Sequence, residues 1–149
     1  MSESVIVGAH EFWFDMDDRI VHLTFRGPLD APEVVGLFEF FDRCSRELLP
    51  GEAALYLIDN RASTGITSEG RRMIRELSQK MQESSKNVSS FIAICGAPFA
   101  VRVVLNLVFK GLELALSGKN NVRFMVEESE AREWLLGYAR AVRTREAAS

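Results

Sequence analysis

The chain has 149 residues, 47% of them apolar, which is enough for one hydrophobic core and too few for two of ordinary size. Its 18 basic and 21 acidic residues leave a net charge of -3 without a block of like charge, so we expect no nucleic-acid partner. The two distant cysteines, Cys44 and Cys95, and an N-terminus without the apolar segment of a signal peptide favour a reduced cytoplasmic protein without a zinc site.

The first predicted element is an antiparallel β-hairpin. Residues 10–15 and 19–25 alternate between apolar and polar side chains with a period of two, and an acidic turn joins them. In the second strand Val21, Leu23 and Phe25 share one face. We expect that face to be the buried one.

A helix is predicted after a turn at residues 27–30. Asp30 has the form of an N-terminal cap, with Pro32 and Glu33 in the first turn. The helix should end near Leu49, before a Pro-Gly pair. Its buried stripe is predicted to contain Val34, Phe38, Phe41, Cys44 and Leu48.

Strands and helices alternate along the rest of the chain. Residues 52–59 and 89–95 are short apolar runs bounded by turn residues, as expected of central parallel strands, and residues 120–126 are predicted to be a fifth strand. An amphipathic helix at 71–82 and a last helix at 128–142 carry apolar stripes. The residues predicted to face inward from these two helices are Met73, Ile74, Leu77, Met81, Ala131, Trp134, Leu135 and Tyr138.

The segment at residues 99–116 is predicted to be an unusually apolar helix. Arg102, Lys110 and Glu113 argue against a membrane span, because a charge near the bilayer centre costs about 2.5–3.5 kcal/mol. Its polar side chains form one narrow stripe, so the helix is either deeply buried in its own domain or meets a second subunit or an apolar ligand.

Together these elements predict an α/β fold in one domain. The hairpin feeds a (βα)4 right-handed superhelix with a mostly parallel, five-stranded sheet, because strands that alternate with helices imply right-handed crossovers. The core is expected to span residues 10–142, and the C-terminal tail to be frayed.

Two segments resemble the STAS domain, the family of bacterial anti-sigma-factor antagonists. Residues 27–30, Gly-Pro-Leu-Asp, are similar to the family's G-x-L-D. Residues 57–73, LIDNRASTGITSEGRRM, resemble its strand, loop and helix entry. The resemblance spans residues 10–136, and the ending at 123–135 also looks like a divergent bacterial branch that relates the STAS fold to lipid-binding CRAL-TRIO domains.

The resemblance places candidate functional residues in one ungapped register. Asp59 matches the strand-ending Asp, Ile66 the hydrophobic position, Ser68 the phosphorylatable serine and Gly70 the glycine. Thr67 stands where the family usually has Asp, and Glu69 where it usually has Ser or Thr.

Ser68 is therefore the candidate phosphoacceptor. In the first turn of a helix, free amides and the helix dipole favour a phosphate, and the arginines at 61, 71 and 72 are close enough in sequence to pair with it. The alternative is that Thr67 or Ser68 only caps the helix. A third alternative is that the Glu69 carboxylate supplies a permanent negative charge.

The remaining candidates form an interaction or anion-binding loop before this helix. Asp59 would bind a ligand at the carboxyl edge of the sheet, or else start a loop by bonding its own backbone. The proposed loop and helix start comprise Asp59, Arg61, Ser63, Thr64, Thr67, Glu69, Gly70 and Arg71. His10 and His22 lack neighbours at metal-ligand spacing, so no metal or cofactor is predicted.

The functional hypothesis is a non-catalytic regulatory or protein-interaction domain of STAS type, with a phospho-switch or its degenerate form. We expect a cytoplasmic bacterial protein with a regulator or kinase-like partner, and a homodimer for which the helix at 99–116 is one candidate interface. The alternative is a carrier or sensor of a small, lipid-like ligand. An enzyme ranks third, because no nucleophile-base pair is recognisable in the sequence.

Overall fold

The computed structural model describes residues 4–81, 90–97, 102–103 and 120–148. The strands are β1 (Val5–Val7), β2 (His10–Asp15), β3 (Ile20–Leu29), β4 (Ala54–Ile66), β5 (Ser90–Cys95) and β6 (Asn120–Met125). The main helices of the described residues are α1 (Ala31–Glu47), α2 (Ser68–Met81) and α3 (Glu128–Ala148).

The six strands form one mixed sheet in the order in which they occur in the chain. β1, β2 and β3 are antiparallel neighbours, whereas β3, β4, β5 and β6 are parallel. The predicted α/β class is therefore confirmed. The predicted count of five strands is wrong, because β1 has only three residues and is too short for a periodicity to be read.

The core consists of two apolar clusters on opposite faces of the sheet. Val21, Leu23 and Phe25 of β3 lie in the first cluster, which includes residues of α1 and α2. Ile20 lies in the second, where Ala131 and Leu135 of α3 are fully buried. The predicted division of the β3 faces is confirmed, because successive side chains of a strand point to opposite sides.

Helix α1 begins and ends close to the predicted positions, but its buried stripe is rotated. The side chains packed most deeply are Val34, Leu37, Phe40 and Cys44. Phe38 and Phe41 are only partly buried against the same cluster, and Leu48 lies beyond the helix as its C-cap. Burial raises the pKa of the Cys44 thiol to about 11, as expected of a small core residue.

Helices α2 and α3 follow the predicted stripes more closely. Ile74 is buried, and Met73 and Leu77 are partly buried against the first cluster. In α3 Tyr138 is 39% exposed, although its ring stacks on Phe91 at 4.3 Å between centroids.

The predicted helix at 99–116 lies outside the described residues, apart from two helical positions at 102–103. Its subunit, ligand and burial alternatives therefore stay open. Among the described residues, no helix is both long and apolar enough to cross a membrane.

Candidate functional site

Strand β4 continues through the segment predicted to be a loop. Its 13 residues run to Ile66, and the last of them pair with an equally extended end of β3. Ser63 lies opposite Gly27, and Gly65, which has a φ of 110°, lies opposite Pro28. The loop prediction for residues 59–66 and the turn prediction for residues 27–29 are therefore wrong.

The ends of β3 and β4 were predicted as a turn and a loop because their pairing with each other cannot be recognised in the sequence. Polar, glycine and proline residues usually mark the ends of strands. A segment rich in them is therefore predicted to be a turn when it is considered by itself. Here two such segments pair in parallel, with register irregularities between Thr24 and Arg26 and between Gly27 and Pro28. Ser63 contributes locally, since its Oγ accepts a hydrogen bond from the Gly65 amide at 3.2 Å.

Where these strands end, the caps of α1 and α2 are bonded to each other. Asp30 Oδ1 accepts a hydrogen bond from the Ala31 amide at 2.9 Å and another from Thr67 Oγ1 at 2.6 Å. Thr67 Oγ1 in turn accepts from the Gly70 amide at 3.0 Å, and the Thr67 amide donates to the Leu29 carbonyl at 3.0 Å. We call Leu29, Asp30, Thr67 and Gly70 the cap junction.

The cap junction is close-packed and charged. The hydrogen bond from Thr67, with that from the Ala31 amide, lowers the pKa of the Asp30 carboxyl. Gly70 is buried, and a Cβ built there would lie 2.5 Å from the Leu29 carbonyl oxygen. The capping role foreseen for Thr67 or Ser68 belongs to Thr67.

Beside this junction, the first turn of α2 exposes a mixed set of side chains. Ser68, Glu69 and Arg71 are exposed. Arg71 donates to Ser68 Oγ at 3.2 Å and to the Ile66 carbonyl at 3.3 Å. Glu69 and Arg72 lie 3.9 Å apart across one helical turn. Ser68 thus lies at the positive end of a helix dipole with a guanidinium in contact.

A second group of predicted residues lies further back on β4. Arg61 donates to both carboxylate oxygens of Asp59, at 2.9 and 2.7 Å. Its guanidinium also lies 3.8 Å from Glu128 in the first turn of α3. The hydrogen bonds from Arg61 lower the pKa of the half-buried Asp59 carboxyl, and Asp59 raises the pKa of Arg61.

This pairing separates the candidates into two groups. Asp59 and Arg61 form a fork with Glu128, whereas Thr67, Gly70 and Arg71 surround the start of α2. Of the three arginines expected near Ser68, Arg71 contacts its hydroxyl, whereas Arg61 pairs with Asp59 and Arg72 with acidic side chains of α2. Among the described residues no group of three or more His, Cys, Asp or Glu side chains is arranged to hold a metal ion.

No family model matches this sequence, and no curated protein matches it. The STAS resemblance therefore stays a resemblance, and its sequence motifs are confined to residues 27–30 and 57–73.

Sequence reasoning missed two residues at the fork. Gly96 follows β5 with a φ of 74°, and a Cβ there would overlap Arg61 Cγ. Glu128 faces Arg61 from α3. A glycine directly after an apolar strand and an acid in the first turn of a helix were visible signals, but their meeting with Arg61 depends on strand order.

Proposed function

We propose that this chain is a non-catalytic protein-interaction domain of STAS type whose working surface is the start of α2. A protein partner binds there, and either phosphorylation of Ser68 or the permanent charge of Glu69 sets its affinity. A cytoplasmic homodimer remains part of the proposal.

The observation that supports this proposal is the combination of a fixed backbone with exposed polar side chains. Thr67 and buried Gly70 anchor the first turn of α2 to the cap of α1, while Ser68, Glu69 and Arg71 next to them are exposed. A surface whose backbone is already ordered loses little conformational entropy on binding. Such a surface suits recognition of a protein partner.

The charges around Ser68 suit a switch. A phosphate adds about two negative charges and three acceptor oxygens, which Arg71 is placed to bind. Because the backbone there is held by Thr67 and Asp30, phosphorylation would change the charge of the surface and leave the fold unchanged.

The experiment is affinity purification of the tagged chain from its native host, with phosphopeptide mapping of residues 61–75. Wild type is compared with Ser68→Ala, Ser68→Asp and Glu69→Ala. We expect recovery of a specific partner to change by about fivefold or more in at least one variant, the effect of an interface side chain worth about 1 kcal/mol. The native mass of the eluted 16.7 kDa chain tests the homodimer.

Ser45→Asp is the matched control, because Ser45 is exposed on α1 and its hydroxyl donates to the Asp42 carbonyl of the same helix at 2.7 Å. It should leave partner recovery unchanged. Unchanged recovery in all three α2 variants, with circular dichroism showing that each is folded, would reject this surface as the site.

A further inference from the structure

His10, the first residue of β2, is a buried titratable side chain that the proposed function does not use. It is 1% exposed. The rings of Phe12 and Phe25 pack around it, with centroids 6.4 and 5.4 Å from its own. A charge on this ring would be poorly solvated, so the protonation state of His10 has structural consequences.

Both ring nitrogens of His10 bond the irregular end of β3. The Arg26 amide donates to Nδ1 at 3.0 Å, and Nε2 lies 3.2 Å from the Pro28 carbonyl oxygen. Because Nδ1 accepts, the single proton of the neutral ring belongs on Nε2, which donates to Pro28. The two contacts bracket Gly27, where the pairing of β3 with β4 changes register.

The charged groups that act on His10 lie on α1 and β3. Glu33 of α1 and Arg26 of β3 act on the ring through their charges. Glu11, next to His10 on β2, lies 3.6 Å from the Arg26 guanidinium. Glu33 Oε2 is buried and has no hydrogen-bond partner among the described residues. An unpaired carboxylate oxygen near a buried imidazole offers an acceptor for a second ring proton.

The neutral and protonated rings cannot make the same hydrogen bonds. A protonated imidazole has two donors and no acceptor, so Nδ1 would oppose the Arg26 amide. Burial lowers the pKa of His10, against the raising effects of the Pro28 bond and Glu33. The neutral arrangement therefore prevails near neutral pH.

We propose that His10 is a proton-operated latch: the neutral ring holds the bulged end of β3, and the protonated ring releases the Arg26 amide and pairs with Glu33. The released segment leads directly into Leu29 and Asp30 of the cap junction. Protonation of His10 therefore loosens the structure locally at the cap junction, where α1 and α2 begin. It does not depend on the identity of the partner or on Ser68.

The direction of the pH effect follows from linkage. A histidine whose pKa is lower in the folded chain than in the unfolded one stabilises the fold fully above its ordinary pKa. That stabilisation is lost as the pH falls through the lowered value, because the unfolded state then binds more protons. The latch is therefore expected to stay closed above about pH 6.5, the ordinary histidine pKa, and to open at a more acidic pH, where His10 of the folded chain becomes protonated.

The primary test uses the unmodified chain. Nitrogen-15 NMR of labelled histidine should show the Nε2–H tautomer of His10 near neutral pH. Amide exchange, corrected for its intrinsic pH dependence, should then report the latch. As His10 becomes protonated, the protection of the Arg26 amide should fall by about tenfold more than that of Ile94 in the interior strand β5.

Two substitutions assign the effect. Glu33→Gln removes the negative charge that favours protonated His10, so the midpoint of Arg26 deprotection should shift to lower pH. His22→Gln is the matched control, because His22 is also a β-sheet histidine whose pKa burial lowers, and it stacks on Trp13 at 4.6 Å. That variant should retain the wild-type response of Arg26.

Three results would contradict the proposal. An Nδ1–H tautomer at neutral pH, or Arg26 and Ile94 losing protection in parallel during acidification, would overturn the latch. So would an Arg26 response that Glu33→Gln leaves in place and His22→Gln abolishes.

Discussion

Thr67 joins two helices through one hydroxyl group. The hydroxyl accepts a hydrogen bond from the Gly70 amide of α2 and donates one to the Asp30 carboxylate, which caps α1. Few residue types can do both, because the position needs a donor and an acceptor on a short side chain. The Asp that the STAS pattern carries at this position would place a second carboxylate against Asp30.

Thr67→Ala is expected to lower the free energy of unfolding by about 1–2 kcal/mol, because it removes the cap of α2 and a hydrogen bond to Asp30. Thr67→Ser keeps the hydroxyl and should retain most of this stability. Urea denaturation followed by circular dichroism measures both. Ser68→Ala, at the neighbouring exposed position, should change stability by less than about 0.5 kcal/mol. Equal losses in Thr67→Ser and Thr67→Ala would show that the hydroxyl is not responsible.

At the start of α2, the backbones of α2 and β3 approach each other closely, and this approach restricts the residue type there. Gly70 lies in the third position of the helix, where a larger residue ordinarily favours helix formation. Here the Leu29 carbonyl, at the end of β3, occupies the space that a Cβ would need. Glycine is therefore required by the neighbouring strand and not by the helix.

Gly70→Ala is expected to destabilise the chain by about 1–3 kcal/mol, since the clash is with backbone that cannot rotate away. Gly137→Ala is the matched control: Gly137 lies within α3, and outside its own helix backbone and chain neighbours no heavy atom of the described residues lies within 4 Å of the Cβ position. That change should raise stability by about 0.5–1 kcal/mol through helix propensity. Thermal unfolding of both variants measures the difference. A stabilised Gly70→Ala would contradict the packing of α2 against β3.

At the scale of the whole molecule, one clamp connects three elements on the side of the chain where α1 ends. Arg19, in the β2–β3 turn with a φ of 57°, donates to both oxygens of Glu52 and to the Glu47 carbonyl at 2.6 Å. Glu52 also accepts from the Leu49 amide at 2.7 Å. The hairpin, the end of α1 and the approach to β4 therefore share one partly buried ion pair.

Glu52→Gln is expected to lower the free energy of unfolding by about 1–3 kcal/mol, because both side chains of this pair are only 18% exposed. Asp42→Asn provides the comparison. Asp42 pairs with Arg46 on the surface of α1, where the side chains are 62% and 71% exposed, and such pairs contribute about 0–1 kcal/mol. Urea denaturation, carried out at low and at high salt, should show a large loss of stability for Glu52→Gln but not for Asp42→Asn. Similar effects at both positions would argue against the clamp.

Features that depend on residues close together along the chain could be predicted from the amino-acid sequence. The alternation of Val21, Leu23 and Phe25, the cap at Asp30 and the apolar stripe of α2 were readable because strand and helix periods repeat within a few residues. These local patterns also decided the α/β class.

The contacts between strand ends and helix starts could not be predicted in this way, because they form only when the chain folds. The extension of β4 to Ile66, the bond between Asp30 and Thr67 and the fork of Arg61 with Glu128 join residues far apart in sequence. Composition does not encode which polar segments pair with each other. Residues 59–66 were predicted to be a loop. They form a strand because the backbone groups of β3 and β4 bond each other in place of water.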